Sequence, residues 1–396
     1  MIARALEKAL LKAAASLPVV TLTGPRQSGK STLLKAVFPH HRYVNLENPL
    51  VLIRAKEDPE GFLDDISHPV VIDEAQNFPE LFSFIQLRVD EINEPGMYIL
   101  SGSQNFLMME SIAQSLAGRV TVLRLYPFSA SELQAAALLP ETTEEWIFTG
   151  GYPRLYDHMI AAPDFYPSYI ETYLQRDVRS LKNIGDLSAF MRFIQVLAGR
   201  VGQLLVYQEL SDATDISVAT VKSWLSVLET SYVITTLKPM HRNVTSRNVK
   251  SPKLYFWDTG LACSLLGLTN SDQLRTHYLY GALFENMVVV EMMKYLSAHA
   301  GVATLAFWRN NKKQEIDLLI ETSPAEVAMA AEIKGSRSPK ASHFGTLDKV
   351  GDLLGLTSAQ RYVVYDGAEH HVLSKHGTLL PWRELEDVVK QIDLPA

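Results

Sequence analysis

The sequence lacks the features that mark secreted, disulfide-bonded or membrane-spanning proteins. Its single cysteine, Cys263, excludes an internal disulfide and any metal site built from several cysteines. No apolar stretch approaches the roughly 20 residues that a membrane-spanning helix needs. Residues 1–15 carry apolar side chains at helical spacing, interrupted by Glu7, which predicts an amphipathic helix and not a signal peptide. We therefore expect a cytoplasmic protein with no membrane contact.

The sequence also lacks an excess of positive charge, internal repeats and low-complexity tracts. Its formal net charge of −7 gives no general attraction to polyanions, so a nucleic-acid surface would have to be a local basic patch. The composition, with 47% hydrophobic and 20% charged residues, is ordinary for globular proteins. A chain of 396 residues is expected to form two or three domains.

The order of apolar runs predicts an α/β protein in which a parallel sheet comes first. Residues 18–126 alternate short apolar runs with helical patterns, as strands and helices do around a parallel sheet. A helical lid or connector follows, then two helices and a β-like run in the order of a winged helix-turn-helix, then a further α/β domain. The predicted boundaries of these parts are 1–135, 136–200, 201–250 and 251–396.

The segment after the first predicted strand matches the phosphate-binding P-loop at every fixed position. Its glycines let the backbone bend around phosphate oxygens, while Lys30 reaches the terminal phosphates and the Ser31 hydroxyl binds Mg²⁺. A glycine turn with an exposed lysine is the alternative, but it seldom reproduces all fixed positions between a strand and a helix. The residues predicted to bind ATP here are Gly24, Pro25, Arg26, Gln27, Ser28, Gly29, Lys30, Ser31 and Thr32.

Acidic and polar residues follow two later apolar runs. Asp73 is predicted to hold Mg²⁺ with Ser31, and Glu74 to polarise the attacking water. An acidic pair of this kind, taken alone, is more often a solvated strand end. After the strand at 98–100, Ser103 is predicted to contact the γ-phosphate, although Gln104 and a simple polar turn are alternatives.

An arginine is expected to stabilise the charge that develops on the transferred phosphoryl group. Arg119 is the first candidate, and with Lys30 and Glu74 it completes the predicted catalytic set. Arg154 and Arg176 compete with it, and a surface salt bridge is the alternative for each.

A basic segment follows the predicted helix-turn-helix. The second helix of that motif is predicted near 217–229, with Ser217, Thr220, Lys222 and Ser223 on its more exposed side. Residues 238–253 then carry five positive side chains and no acid: Lys238, Arg242, Arg247, Lys250 and Lys253. This segment is predicted either to neutralise DNA phosphates or to surround a module that packs against protein.

Three carboxylates and a lysine predict a second metal site near the C-terminus. Asp317 and Glu332 are expected to share Mg²⁺ or Mn²⁺ near Glu285, with Lys334 orienting water for phosphodiester hydrolysis. Because side chains alternate along a strand, Glu332 and Lys334 are expected on the same strand face. Lys334 is the only nearby positive charge expected to compensate the three carboxylates. The alternative is an exposed hairpin in which Glu332, Lys334, Arg309 and Glu315 form surface ion pairs.

Taken in order, these motifs resemble those of prokaryotic AAA-type ATPases that carry a C-terminal domain of unknown function. The resemblance implies an additional-strand P-loop ATPase domain, a winged helix, a restriction-endonuclease-like C-terminal domain and nucleotide sites at the interfaces of a homo-oligomer. It covers nearly the whole chain. The segments that carry it are 24–27, 72–76, 100–103, 127–129, 150–153, 253–256, 258–261 and 283–286.

Two functions are compatible with these predictions. In the first, the ATPase domain drives a nuclease that acts on DNA through the winged helix. In the second, the protein is an ATP-dependent regulator or scaffold that binds DNA or a protein partner without cutting. A third function, protein remodelling, would need an aromatic-apolar pore loop, and the sequence between 24 and 74 shows none.

Overall fold

The structure is a computed structural model that describes residues 2–103, 115–174, 186–240, 250–299, 303–323 and 326–392. Within these ranges the chain forms a five-stranded sheet, a six-stranded sheet and a smaller two-stranded sheet. None of the described helices is long and apolar enough to cross a membrane.

The first sheet is entirely parallel, as the sequence predicts. Its strands are β1 (Val19–Thr23), β2 (Arg42–Asn45), β3 (Val70–Asp73), β4 (Tyr98–Gly102) and β5 (Val120–Arg124), in the spatial order β2-β3-β4-β1-β5. The additional strand β4 therefore lies between β1 and β3. The helices around this sheet are α1 (Glu7–Ala14), α2 (Lys30–Val37), α3 (Pro49–Glu57), α4 (Pro59–Ile66) and α5 (Leu81–Ile92).

Alternation along β1 explains why this sheet is covered on both faces. Val19 and Val20 are fully buried but belong to two different hydrophobic cores, because successive side chains of a strand point to opposite faces. Since all five strands run in one direction, their carboxyl ends lie along one edge. The P-loop and the end of β3 meet at that edge.

The connector after β5 is helical, as predicted. Its helices are α6 (Ala130–Ala135), α7 (Thr143–Thr149), α8 (Pro153–Asp157), α9 (Ala162–Tyr169) and α10 (Leu187–Ala198), with a π-helical turn at Ile170–Leu174. Capping boxes begin α6 at Ser129 and α7 at Thr142, where a glutamate three residues later bonds back to the capping residue.

Two helices and a two-stranded antiparallel sheet follow the connector. They are α11 (Tyr207–Thr214), α12 (Val218–Thr230), β6 (Ile234–Leu237) and β7 (Lys253–Phe256). Ser217 caps α12 through the Thr220 amide. The sequence predicted β6 but not β7, and the winged helix stays a prediction.

The C-terminal part contains a mixed sheet. Its elements are α13 (Thr259–Leu265), α14 (Tyr280–His299), β8 (Thr304–Arg309), β9 (Glu315–Ser323), β10 (Glu326–Lys334), α15 (Gly345–Leu354), β11 (Arg361–Tyr365), β12 (His371–Leu373), β13 (Gly377–Pro381) and α16 (Leu385–Gln391). The spatial order is β12-β13-β11-β10-β9-β8, with β10, β11 and β13 parallel to one another. Short 3-10 helices lie at Ala75–Asn77, Ser271–Thr276, Ala341–Phe344, Ser358–Gln360 and Trp382–Glu384. The restriction-endonuclease-like fold stays a prediction.

A single hydrophobic core extends from Tyr126 to Val389. It contains Trp146 from the connector, Tyr255 from β7 and Phe284 from α14, all almost fully buried. The predicted boundaries at 135, 200 and 250 all fall within the span of this core.

Candidate functional site

The P-loop backbone requires glycine where β1 ends. At Gly24 the angle φ is +148°, and a Cβ there would lie 2.1 Å from the Leu125 carbonyl oxygen. Gly29 has φ of +92° and lies directly before α2. The predicted ATP-binding residues 24–32 therefore form a tight loop that leads into a helix N-terminus, an arrangement whose backbone amides can bind an anion.

The Lys30 ammonium is buried inside this loop. Its Nζ donates to the carbonyl oxygens of Gly24 at 3.0 Å and Pro25 at 2.8 Å. Burial lowers the pKa of Lys30 to about 8, although Glu74 and Asp73 act in the opposite direction. The alternative of an exposed lysine does not agree with this geometry.

The end of β3 brings Asp73 next to Ser31. The Ser31 hydroxyl donates to Asp73 Oδ2 at 2.6 Å, and the hydroxyls of Ser101 and Tyr43 also donate to this carboxylate. Burial alone would raise the pKa of Asp73, but the hydrogen bonds from Ser101, Ser31 and Tyr43 outweigh it and lower the pKa. An ionised carboxylate beside a hydroxyl supplies the oxygen ligands that Mg²⁺ prefers, so these residues fit the metal.

Tyr43 was missed in the sequence because it lies on a different strand from Asp73. β2 runs parallel to β3, and this pairing places Asn45 level with Asp73. Burial and the neighbouring carboxylate raise the pKa of Tyr43, so its hydroxyl stays protonated and donates to Asp73. An aromatic residue in an apolar run gives no signal of this contact.

Glu74 and Ser103 lie beside the same edge of the sheet. Glu74 has a left-handed backbone, with φ of +54°, and its carboxylate accepts a hydrogen bond from Gln76. The buried hydroxyl of Ser103 has no hydrogen-bond partner among the residues that the structure describes. The alternative sensor residue, Gln104, lies outside them.

Arg119 lies at the opposite edge of the sheet from the P-loop of its own chain. Its carbonyl accepts from the amide of Val19, the first residue of β1, whereas the P-loop follows the last residue. The guanidinium pairs with Asp90 and is about one-third exposed. Action on the nucleotide of the same chain is therefore excluded by position, and action on a neighbouring subunit stays a prediction.

Arg154 lies closer to the P-loop. It is exposed at the start of α8, next to Pro153, whose Cγ is 3.8 Å from the position that a Cβ of Gly29 would take. The third candidate, Arg176, lies outside the described residues.

Arg4 forms a hydrogen bond to the P-loop backbone, a contact that the sequence did not predict. Its guanidinium donates to the carbonyl oxygens of Ser28 at 2.9 Å and Tyr126 at 2.6 Å. It also pairs with Glu132 at 3.0 Å and lies 4.6 Å from the centre of the Phe128 ring. Helical spacing near the N-terminus predicted an amphipathic surface, which gave no reason to bury an arginine.

Three of the motifs that carry the family resemblance meet at a buried junction away from the P-loop. The Asp258 carboxylate accepts from the Gly151 amide at 2.8 Å and from the Tyr166 hydroxyl at 2.6 Å. The Phe128 amide donates to the Gly151 carbonyl at 2.7 Å. A Cβ on Gly150 would lie 2.4 Å from Asp258 Oδ1, which explains a glycine at that position.

The structure brings together the carboxylates that the sequence predicted at the C-terminal site. Asp317 on β9 accepts from the Ile333 amide at 2.8 Å. Lys334 Nζ lies 2.8 Å from Glu332 Oε2 and 3.8 Å from Asp317 Oδ2. Burial and the charge of Asp317 raise the pKa of Glu332 to about 8.

Lys253 also belongs to this cluster, which corrects two predictions. Its buried Nζ lies 2.7 Å from Glu285 Oε1 and 3.5 Å from Asp317 Oδ1, and it also pairs with Glu315. The expectation that Lys334 would be the only compensating charge is wrong. Lys253 is also not part of an exposed basic segment, because β7 directs it towards the carboxylates. Burial acts to lower the pKa of Lys253, but the three carboxylates outweigh it and raise the pKa.

With Lys253 in place, this cluster does not suit a divalent metal. Among the described residues, no group of three or more His, Cys, Asp and Glu side chains is arranged to hold a metal ion. Burial and Asp317 raise the pKa of Glu285 to about 7, while Lys253 and Tyr255 hold its carboxylate in place. Of the residues predicted to bind a second Mg²⁺ or Mn²⁺, Glu285 and Asp317 instead pair with the Lys253 ammonium, and Glu332 pairs with Lys334.

Comparison with known proteins divides the chain into three matched regions. An AAA domain matches residues 16–134, a domain of unknown function (DUF8612) matches 140–272, and another (DUF4143) matches 280–385. Two solved structures are similar at low identity. The Walker-type ATPase PABY2304 of Pyrococcus abyssi has a TM-score of 0.43 at 16% identity, over 67% of this chain and 96% of that one. A variant of RuvB from Thermotoga maritima has a TM-score of 0.32 at 14% identity, over 58% and 88%.

Two curated relatives cover nearly the whole chain. They are uncharacterized protein Rv2008c of Mycobacterium tuberculosis and uncharacterized protein Mb2031c of Mycobacterium bovis. Each is 31% identical over 372 residues, which is 92% of this chain and 80% of the relative. On this similarity the chain belongs to one family with Rv2008c and Mb2031c, and its AAA domain places it among the P-loop ATPases.

Proposed function

We propose that this protein binds Mg²⁺ and ATP at residues 24–32 and hydrolyses the ATP. The observation that carries the proposal is the 2.6 Å hydrogen bond between Ser31 and Asp73, next to a lysine enclosed by the same loop. Ser31 and Asp73 hold Mg²⁺, which neutralises charge on the phosphates when bound. Lys30 contacts the terminal phosphates, and Glu74 orients the attacking water.

The hydrogen bonds around Asp73 prepare its carboxylate to bind a metal ion. Three hydroxyls and one amide donate to its carboxylate, which holds it ionised and fixes its orientation. Ser31 would offer its hydroxyl oxygen to Mg²⁺ while its proton stays directed at the Asp73 carboxylate. Ser103 is proposed to contact the γ-phosphate, since its buried hydroxyl lies just past β4, beside β1.

The test is Mg²⁺-dependent release of phosphate from ATP by the full-length protein. We expect turnover in the wild type and loss of turnover in Asp73→Asn, which removes the negative charge that holds the metal. Asp65→Asn is the matched control, because Asp65 forms exposed ion pairs with Arg42 and Arg54. Absence of hydrolysis in the wild type, or equal rates in Asp73→Asn, would refute the proposal.

Binding of DNA is proposed as a second function, with support from exposed cations in and after the helix pair. Lys222, Lys238 and Lys250 are exposed, whereas Arg242 and Arg247 lie outside the described residues. Without Lys253, the sequence of the basic segment still carries four positive residues for phosphates. Lys253 lies among the carboxylates of the predicted nuclease site. Its position therefore favours a protein that binds DNA as a regulator over one that binds DNA to cut it.

A further inference from the structure

The C-terminal carboxylate cluster is built from three separate parts of the fold. Glu285 comes from α14, Glu315 and Asp317 come from β9, and Lys253 comes from β7. Lys253 Nζ lies within ion-pair distance of all three carboxylates, while only 1% of this residue is exposed. Burial of an unpaired ammonium group is energetically costly. The lysine and the three carboxylates therefore each depend on the opposite charge of the other.

The strand that carries Lys253 is fixed on several sides. Asn286, the neighbour of Glu285, accepts from the Phe256 amide at 2.7 Å and donates to the Phe256 carbonyl at 2.8 Å. The Tyr255 hydroxyl donates to Glu285 at 2.7 Å. Lys253 is therefore held in place by a fixed strand as well as by its own ion pairs.

Both oxygens of Asp317 already face positive charge. Lys253 lies 3.5 Å from Oδ1 and Lys334 lies 3.8 Å from Oδ2, which also accepts the Ile333 amide. A divalent cation would have to approach Asp317 between two ammonium groups. Mutual repulsion would oppose its binding, since like charges at this distance repel strongly in a buried site.

We infer that Lys253 is the resident cation of this site and closes it to Mg²⁺ and Mn²⁺. The lysine occupies the place where the carboxylates converge, so the cluster joins β7 to the C-terminal sheet and does not activate water. This inference goes beyond ATP hydrolysis and is independent of it, since the described contacts of these residues do not reach the P-loop.

The test measures Mn²⁺ bound to the full-length protein without nucleotide, by electron paramagnetic resonance of the free ion. The wild type is expected to show no Mn²⁺ binding that depends on Asp317. Lys253→Met keeps the aliphatic stem and removes the charge, so it should gain one bound Mn²⁺ per chain. The double variant Lys253→Met with Asp317→Asn should lose that gain.

Lys250→Met is the matched control, because Lys250 is an exposed lysine three residues away and should leave Mn²⁺ binding as in the wild type. A folded Lys253→Met protein that binds no Mn²⁺ overturns the inference. If Lys253→Met does not fold, comparison of the wild type with Asp317→Asn provides the test. Equal Mn²⁺ binding by these two proteins supports a closed site, whereas wild-type Mn²⁺ binding that Asp317→Asn abolishes overturns the inference.

Discussion

The hydroxyls of Thr23 and Tyr232 lie 2.7 Å apart and join the strand before the P-loop to the turn between α12 and β6. Both residues are buried, and Thr23 is followed directly by Gly24. Tyr126 packs edge-on against Tyr232 and stacks on Trp257 at 3.8 Å. The nucleotide loop is thereby connected to the helix pair through one hydrogen bond and a short aromatic stack.

Tyr232→Phe removes this hydrogen bond and is expected to lower the free energy of unfolding by about 1 kcal/mol. The loss stays modest because the Thr23 hydroxyl keeps its contact with the Leu123 carbonyl at 3.3 Å. Urea denaturation of the two proteins measures the difference. Tyr207→Phe, at a partly exposed tyrosine, should leave stability unchanged, and equal stability of Tyr232→Phe and wild type would contradict the role of this bond.

Lys30→Ala and Glu74→Gln should separate nucleotide binding from turnover. Loss of the ammonium removes hydrogen bonds to charged phosphates, so calorimetry should show ATP affinity falling by about 10- to 100-fold. Glu74→Gln should bind ATP normally but hydrolyse it about 10²- to 10⁴-fold more slowly, because the carboxylate acts on water. The control Glu80→Gln changes an exposed acid a few residues further along the chain. Equal hydrolysis rates in wild type and Glu74→Gln would remove Glu74 from the mechanism.

ATP binding should take up a proton above the pKa of Lys30. Burial lowers this pKa to about 8 in the protein without nucleotide, so at about pH 9 most of Lys30 is neutral. Phosphates favour the charged form and raise the pKa, so affinity should fall as the pH rises above about 8. Calorimetry in buffers of different ionisation enthalpy should detect proton uptake at about pH 9 and none from Lys30 near pH 7. Buffer-independent heats at the higher pH would speak against titration of Lys30.

Mixing two inactive variants should test Arg119. If Arg119 acts on a neighbouring subunit, Arg119→Ala and Lys30→Ala are each inactive alone but regain part of the activity in mixed oligomers. Arg54→Ala, at an exposed surface ion pair, should remain active by itself. No recovery in oligomers shown to be mixed would leave Arg154 as the arginine to test.

Replacing Lys238, Arg242, Arg247 and Lys250 by alanine should weaken DNA binding and reduce its dependence on salt. For duplex DNA, the slope of log affinity against log salt becomes shallower by about 0.9 for each phosphate that the protein ceases to neutralise. Fluorescence anisotropy at several salt concentrations gives this slope. Lys12→Ala, a charge change elsewhere on the surface, serves as control. An unchanged slope would favour protein packing as the role of this segment.

The sequence was sufficient for the parts of the site that are contiguous in the chain. The apolar run before the P-loop forms β1, as expected, and the P-loop follows it because the loop itself requires glycine and lysine at fixed positions. Asp73 could be placed beside Ser31 because parallel strands end at one edge.

Contacts between distant segments could not be predicted in this way. Arg4, Tyr43 and Lys253 all act through partners at least 24 residues away, and their own neighbourhoods suggest a surface helix, a strand interior and a basic loop. All charged residues of the segment 238–253 are positive, but the pairing of β7 with β6 turns Lys253 inwards. Side-chain direction in a short strand depends on how the strand pairs, and the sequence did not predict β7 itself.

The continuous core from Tyr126 to Val389 has a practical consequence for truncation. A polypeptide that starts at residue 251 would lack the connector and helix pair, which share one buried core with Tyr255, Phe256 and Phe284. Such a fragment would present a large apolar face to water and is expected to aggregate. Proteases should accordingly cut the native protein into pieces that stay associated, because the severed segments still share one interior.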